Sequence, residues 1–298
     1  MGIPAGIHVP LITPFGADGT IAADALEHLA HRVLDDGAVG LVALGTTAEA
    51  ATLDEAERRA VARTVRRVCR EREAHFTVGA GSNDTRRTAL ELSGAEADAA
   101  LVPVPYFTRP SEAGVVAHFE ALAAESPVPL IVYNIPYRTG QTLGIETLLR
   151  LAAIPGVVGV KHAVGGIDQD TVALLGADLP GFAVLAGDDV FAPAMLALGA
   201  AGGVLASAHL ATDRWVELAG TGDRALGHRL AALAAALFTE PNPTVIKAAL
   251  HARGSIPDPG VRLPLLPAGR PALETALRAL VAAGDTRVRT TALIGEAS

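Results

Sequence analysis

Apolar residues gather into eight short runs along the chain: His8–Ile12, Val39–Leu44, His75–Ala80, Ala99–Val104, Leu130–Tyr133, Val157–Lys161, Phe182–Ala186 and Gly203–Ala206. Most are nearly continuous, without in/out alternation, which is the pattern of parallel strands buried on both faces. Between them lie stretches with helical spacing, such as Ala23–Asp36, Asp54–Arg72, Ser111–Glu125 and Asp189–Leu198. Strand and helix therefore alternate, and eight such units predict a closed (β/α)8 TIM barrel, since an open doubly wound sheet usually has fewer strands and a glycine-rich nucleotide turn after the first. The first run is followed by TPFGADGT, a turn and not a dinucleotide fingerprint. After the eighth run only helical patterns remain, at Asp223–Phe238, Thr244–Arg253 and Pro271–Ala283, separated by the proline-rich EPNP and IPDPGVRLPLLP. The chain is thus expected to divide into a barrel over residues 1–222 and a C-terminal helical extension over 223–298.

Composition narrows the partners more than the fold. The 298 residues are 50% hydrophobic, enough for a large core, and carry a net charge of −8. That balance argues against nucleic acid or an anionic membrane face, which would be met by clustered cations, and favours small-molecule partners. Cys69 is the single cysteine, so no disulfide framework or thiolate metal cluster is available and a reducing, cytoplasmic setting is expected. The opening MGIPAGIHVPLITPF does not read as an export signal, and no apolar stretch reaches the roughly 18 residues of a membrane span.

In such a barrel the chemistry sits where the strands end at their C-terminal side. Those positions here are polar: Gly45-Thr46-Thr47 after the second run, Tyr133-Asn134 at the fifth, Lys161-His162 at the sixth and Gly187-Asp188-Asp189 at the seventh. A lysine amine attacks a ketone only in its neutral form, which an apolar mouth favours, and the resulting imine draws electrons from the α-carbon to make an enamine nucleophile. Lys161 is placed for this chemistry; read alone, it is equally a lysine reaching from a strand end to water. Tyr133 ends the adjacent strand, either as a proton donor and acceptor or as a core tyrosine. Thr46 and Thr47 follow a glycine and could offer hydroxyls and N–H groups to a carboxylate, or simply form a turn. Arg138 is a bidentate carboxylate donor or an ordinary surface arginine. Asp188 and Asp189 could bind a metal, but no matching histidine pattern supports it, and Asp188 equally caps a helix.

Taken in order, LITPF, LGTTAEAATL, VPYFTRPS, YNIPYRTG, VGVKHAVGG, LAGDD, FTEPNPTVIKAAL and RLPLLP span nearly the whole chain. They resemble the dihydrodipicolinate synthase and N-acetylneuraminate lyase family of class I pyruvate aldolases. The resemblance implies that Lys161 forms the imine, that Tyr133 donates and accepts protons with Thr46 relaying them, and that Thr47 and the backbones of Gly187 and Val204 hold the pyruvate end. It implies no metal or organic cofactor. Arg-Thr-Gly after the tyrosine strand looks like the synthase branch, in which Arg138 would grip aspartate semialdehyde and the product would be 4-hydroxy-tetrahydrodipicolinate. Other members of the family act on sugar acids or hydroxy-oxo acids, and a 2-oxo acid binding protein is the non-enzymatic alternative.

The chain departs from the family pattern at three positions. Phe107 stands where a second tyrosine, lent by a neighbouring subunit, is usual; Ala48 replaces a glycine; His162 follows the lysine in place of a small polar or acidic residue. Glu55, Arg58 and Arg87 occupy the positions that bind lysine in feedback-inhibited synthases and match an ammonium poorly, so weak or no lysine inhibition is expected. The resemblance also implies a homo-oligomer, a dimer of dimers, in which the Tyr106–Phe107 loop completes a neighbour's site.

Overall fold

The computed structural model describes residues 2–285; the last thirteen residues of the expected 223–298 extension, 286–298, lie outside the described residues. Eight parallel strands close into a barrel in sequence order: β1 (Gly6–Pro10), β2 (Gly40–Ala43), β3 (His75–Gly79), β4 (Ala99–Pro103), β5 (Leu130–Asn134), β6 (Val157–His162), β7 (Ala183–Ala186) and β8 (Gly202–Val204). This is the predicted (β/α)8 architecture. The seam where β8 meets β1 needs a glycine, because a Cβ on Gly202 would lie 1.9 Å from the Gly6 carbonyl oxygen.

The outer ring comprises α1 (Ala23–Asp35), α2 (Glu55–Glu71), α3 (Thr85–Ser93), α4 (Glu112–Glu125), the short α5 (Pro136–Thr139), α6 (Ile145–Ala152), α7 (Gln169–Gly176), α8 (Ala192–Ala197) and α9 (Ala208–Thr221). In α1 the buried Leu26, Leu29, Ala30, Val33 and Leu34 fall at three- and four-residue spacing, one face turned to the strands. A capping box starts α2: the Asp54 carboxylate accepts the Glu57 N–H at 2.8 Å, and the Glu57 carboxylate accepts the Asp54 N–H at 2.9 Å. Beyond the barrel follow α10 (Arg224–Leu237), α11 (Thr244–Ala252) and α12 (Arg270–Ala282), with α11 packed on α12 and α9 and α10 packed on α8 and α12. Among the described residues no helix is long and apolar enough to cross a membrane.

Most boundaries shift by a residue or two from the sequence expectation, and two of these shifts have reasons visible in the contacts. The first apolar run reaches Ile12, but its strand stops at Pro10, because the Ile12 N–H donates to Nε2 of His209 at 3.1 Å instead of to a strand carbonyl. The helix expected from Asp189 begins at Ala192, since the Asp189 carboxylate accepts the Ser207 N–H at 2.6 Å and ties the β7 loop to the β8 loop.

Three buried histidines stitch the barrel together while staying neutral. Burial pushes the pKa of His8, His162 and His209 down from 6.5 to about 4. The unfolded chain therefore binds protons that the folded chain refuses. Their contribution is complete above pH 6.5 and is lost as pH falls through 6.5 to about 4, on the order of 3 kcal/mol each. Asp189 acts in the opposite sense: burial raises its carboxyl from 3.8 to about 6, so its contribution is lost as pH rises over that interval. Burial raises the Asp188 carboxyl in the same sense as Asp189, and the three histidines outweigh the two acids, so the thermal unfolding midpoint is expected to fall between pH 7 and pH 4.5. A midpoint that is flat or rising on acidification would contradict this.

Candidate active site

The strand register brings the candidate residues to one layer of the barrel mouth. Tyr133 of β5 stands opposite Lys161 of β6, and Lys161 stands opposite Leu185 of β7. Both side chains are inward: Tyr133 belongs to the interior cluster with Val42, Leu101, Ile131, Leu185 and Val204, and Lys161 is only 6% exposed. The Lys161 Nζ lies 4.3 Å from the centroid of the Tyr133 ring. A lysine side chain held inside an apolar barrel with its Nζ on an aromatic face is unlike a lysine reaching for water.

Gly187, just past β7, makes this placement possible. A Cβ there would lie 2.6 Å from Lys161 Cγ and 3.0 Å from its Cε, so the lysine stem runs through the space a side chain would fill. The Gly187 N–H donates to the His162 carbonyl at 2.8 Å, which ties the segment after β7 to β6. Behind the lysine, the Thr171 hydroxyl donates to Asp168 at 2.7 Å, so His162 Nε2 carries the proton it shares with Thr171 at 3.0 Å. Nδ1 then accepts from Asn134 Nδ2 at 3.3 Å. His162 thus fastens the outer side of β6 to α7 and β5.

Above this layer opens a cavity of about 990 Å³, whose walls include Thr46, Tyr133, Arg138, Tyr106 and Asn242. Thr46 and Thr47 lie on a single 3-10 turn, Thr46–Ala48, directly after β2. Thr46 is exposed to the cavity and Thr47 is buried, its hydroxyl accepting from Asn242 Nδ2 at 2.8 Å. Arg138 rises from α5, exposed, its guanidinium 5.8 Å from the Tyr137 ring. Glu55, Arg58 and Arg87 line the same cavity; Arg58 donates to the Ala50 carbonyl at 3.1 Å and Glu55 pairs with Arg59 at 2.8 Å. Phe107 has a left-handed backbone, φ +67°, and is 88% exposed.

Sequence reading passed over the residues that hold the Thr46–Ala48 turn. Glu49, at φ +53°, is buried and accepts from Lys247 Nζ at 2.5 Å and from the Arg262 N–H at 2.8 Å. Lys247 is wholly buried, donates also to the Gly260 carbonyl at 2.9 Å and lies 4.0 Å from the Phe15 ring centroid. Burial pushes its ammonium pKa down, and Glu49 opposes that shift. The sequence signals were Asn between two prolines in EPNP and a lysine inside the apolar stretch TVIKAAL. Asp188 and Asp189 sit near Lys161, and burial raises both carboxyls. Among the described residues no three His, Cys, Asp or Glu side chains gather as metal ligands.

The model of the dihydrodipicolinate synthetase family matches residues 3–283. The chain belongs to that family. A curated family relative, the 4-hydroxy-tetrahydrodipicolinate synthase of Moorella thermoacetica, is 39% identical over 285 residues, covering 92% of this chain and 96% of that one. The chloride-inhibited dihydrodipicolinate synthase of Acinetobacter baumannii, solved in complex with pyruvate, superposes with a TM-score of 0.89 at 36% identity, covering 95% of this chain and 99% of that one. A structure described as the first monomeric dihydrodipicolinate synthase variant aligns with a TM-score of 0.88 at 33% identity, covering 94% and 97%.

The tight passage of Lys161 over Gly187 gives a test of this geometry within the dihydrodipicolinate synthetase family member. Gly187→Ala must displace the lysine stem, and a shift on the order of 1 Å costs about 100-fold in rate. Borohydride-trapped adduct formation with a 2-oxo acid, followed by mass, should slow by that factor while the melting temperature stays near the parent's; an unchanged rate would contradict the placement.

Proposed function

We propose that this protein condenses pyruvate with aspartate semialdehyde to form 4-hydroxy-tetrahydrodipicolinate, a lyase-type reaction in the diaminopimelate route to lysine. The observation that carries the reading is the buried Lys161 amine on the Tyr133 ring, with Arg138 on the wall of the same mouth. The named relatives support the choice of substrates.

In this mechanism the neutral Lys161 amine adds to the ketone carbon of pyruvate and water leaves, giving a protonated imine. Tyr133 moves the protons, with Thr46 passing them toward the cavity. Loss of a methyl proton gives the enamine, whose carbon forms the new bond to the aldehyde of the second substrate. The amino group of that substrate then attacks the imine carbon and displaces Lys161, which closes the ring. Thr47 and the backbones of Gly187 and Val204 hold the pyruvate carboxylate end, and Arg138 pairs with the carboxylate of aspartate semialdehyde, a planar two-point contact. The reaction needs no metal or organic cofactor, since the imine itself is the electron sink.

On this reading residues 1–222 are the catalytic barrel and 223–298 the C-terminal extension, whose helices α10 to α12 brace it, and the protein works in the cytoplasm on small molecules. Phe107, a large apolar ring 88% exposed in one chain, supports burial against a second copy, and a dimer of dimers is the assembly inferred. Sedimentation at micromolar concentration should show more than a monomer; a monomer would overturn the shared-site assembly.

Pyruvate and aspartate semialdehyde incubated with the protein should give the heterocyclic product, and Lys161→Ala should abolish it. Product that persists without Lys161 would remove the imine mechanism. Pyruvate release from a sugar acid, with no heterocycle formed, would replace the acceptor.

A further inference from the structure

A threonine hydroxyl has one proton to donate and lone pairs to accept with, so what it offers a ligand depends on what its protein neighbours have already taken. Two threonines near the β2 turn give their protons to its backbone: Thr13 to the Ala48 carbonyl at 2.8 Å and Thr52 to the Glu49 carbonyl at 2.9 Å. Thr47 differs. Its oxygen accepts from Asn242 Nδ2 at 2.8 Å, it is 4% exposed, and no acceptor among the described residues takes its proton.

Asn242 is held where this bond requires it. It lies between Pro241 and Pro243, in a turn closed by the Thr244 N–H on the Pro241 carbonyl at 3.0 Å. Five residues on, Lys247 grips Glu49 on the other flank of the same β2 turn. The segments that carry the two groups are anchored, and the amide meets the hydroxyl across 195 residues of sequence.

We propose that Asn242 is a positioning residue for the 2-oxo acid: by donating to the Thr47 oxygen it keeps the Thr47 proton for the substrate carboxylate. The C-terminal extension then sets pyruvate affinity without touching pyruvate. This rests on the reading of Thr47 as a carboxylate-holding group. The arrangement has a direction. A donor at position 242 leaves Thr47 a donor, an apolar group leaves its hydroxyl unoriented, and an acceptor takes the proton away from the substrate.

The test compares Asn242→Leu, Asn242→Asp and Thr47→Val with the Thr47→Val/Asn242→Leu double variant, reading KM for pyruvate, kcat and melting temperature. A hydrogen bond to a charged group is worth about a tenfold change or more, so Asn242→Asp and Thr47→Val should each raise KM for pyruvate about tenfold, with kcat within about threefold of the parent. Asn242→Leu should raise KM by a smaller factor in the parent and by less than about twofold in the Thr47→Val background, because the hydroxyl it orients is gone. Lowering the pH toward the carboxyl range should bring the Asn242→Asp KM back toward the parent's, a response that a purely structural role does not produce. Equal effects of Asn242→Leu in both backgrounds, or a fall in kcat with KM unchanged, would overturn the proposal while leaving Thr47 in place. A Thr47→Val enzyme with the parent's KM would instead remove the Thr47 reading, and the proposal with it.

Discussion

The buried carboxylate of Glu49 is the constraint around which the mouth of the barrel is organised. A charge taken out of water is tolerated only when its lone pairs are met, and Glu49 is met by the Lys247 ammonium at 2.5 Å and the Arg262 N–H at 2.8 Å. The cations are themselves constrained. Lys247 rests 4.0 Å from the Phe15 ring centroid and Arg262 4.5 Å from it, while the Arg262 guanidinium also binds Glu57 at the start of α2. One acid group thus joins the β1 loop, the β2 turn, α2, α11 and the segment after α11. Leaving either charge unpaired costs about 3–5 kcal/mol, so these parts keep their relative positions together or not at all. The left-handed backbone at Glu49 is held by the same network.

What this frame positions is a set of groups from opposite sides of the barrel. Strand register alone aligns Tyr133, Lys161 and Leu185, because neighbouring parallel strands place their inward residues at a common height. The Thr46–Ala48 turn is different: it follows a strand end but departs from the ladder, and the extension beyond β8 locates it. The site is therefore half sheet geometry and half tertiary clamp. The sheet supplies the amine and the phenol, and the clamp supplies the hydroxyls.

This division also explains what was legible in the sequence. Apolar runs located all eight strands, since burial on both faces demands apolar residues whatever the neighbours are. Lys161, Tyr133 and Arg138 stood out for the same reason, as polar residues ending or following such runs. Boundaries went astray where a distant polar partner ended an element, as His209 does at Ile12 and Ser207 at Asp189. Several helices of the alternation, α3 among them, were not individually named; in its TRRTALELS only Thr88 and Leu92 are buried, so the apolar stripe is thin. Asn242 and Lys247 showed only as an Asn between prolines and a lysine in an apolar stretch, and Glu49 and Arg262 showed less, because the role of each comes through a contact about 200 residues away.

That separation has a bearing on how the molecule comes into being on the ribosome. Glu49 emerges early, and the lysine that neutralises it follows 198 residues later. The barrel seam closes when β8 arrives, so the nascent chain can complete its sheet while the acidic turn at its mouth still lacks a counter-charge. Synthesis of the sheet residues is complete at Val204, whereas the groups that hold the turn carrying the two threonines, Asn242, Lys247 and Arg262, all follow it in the chain.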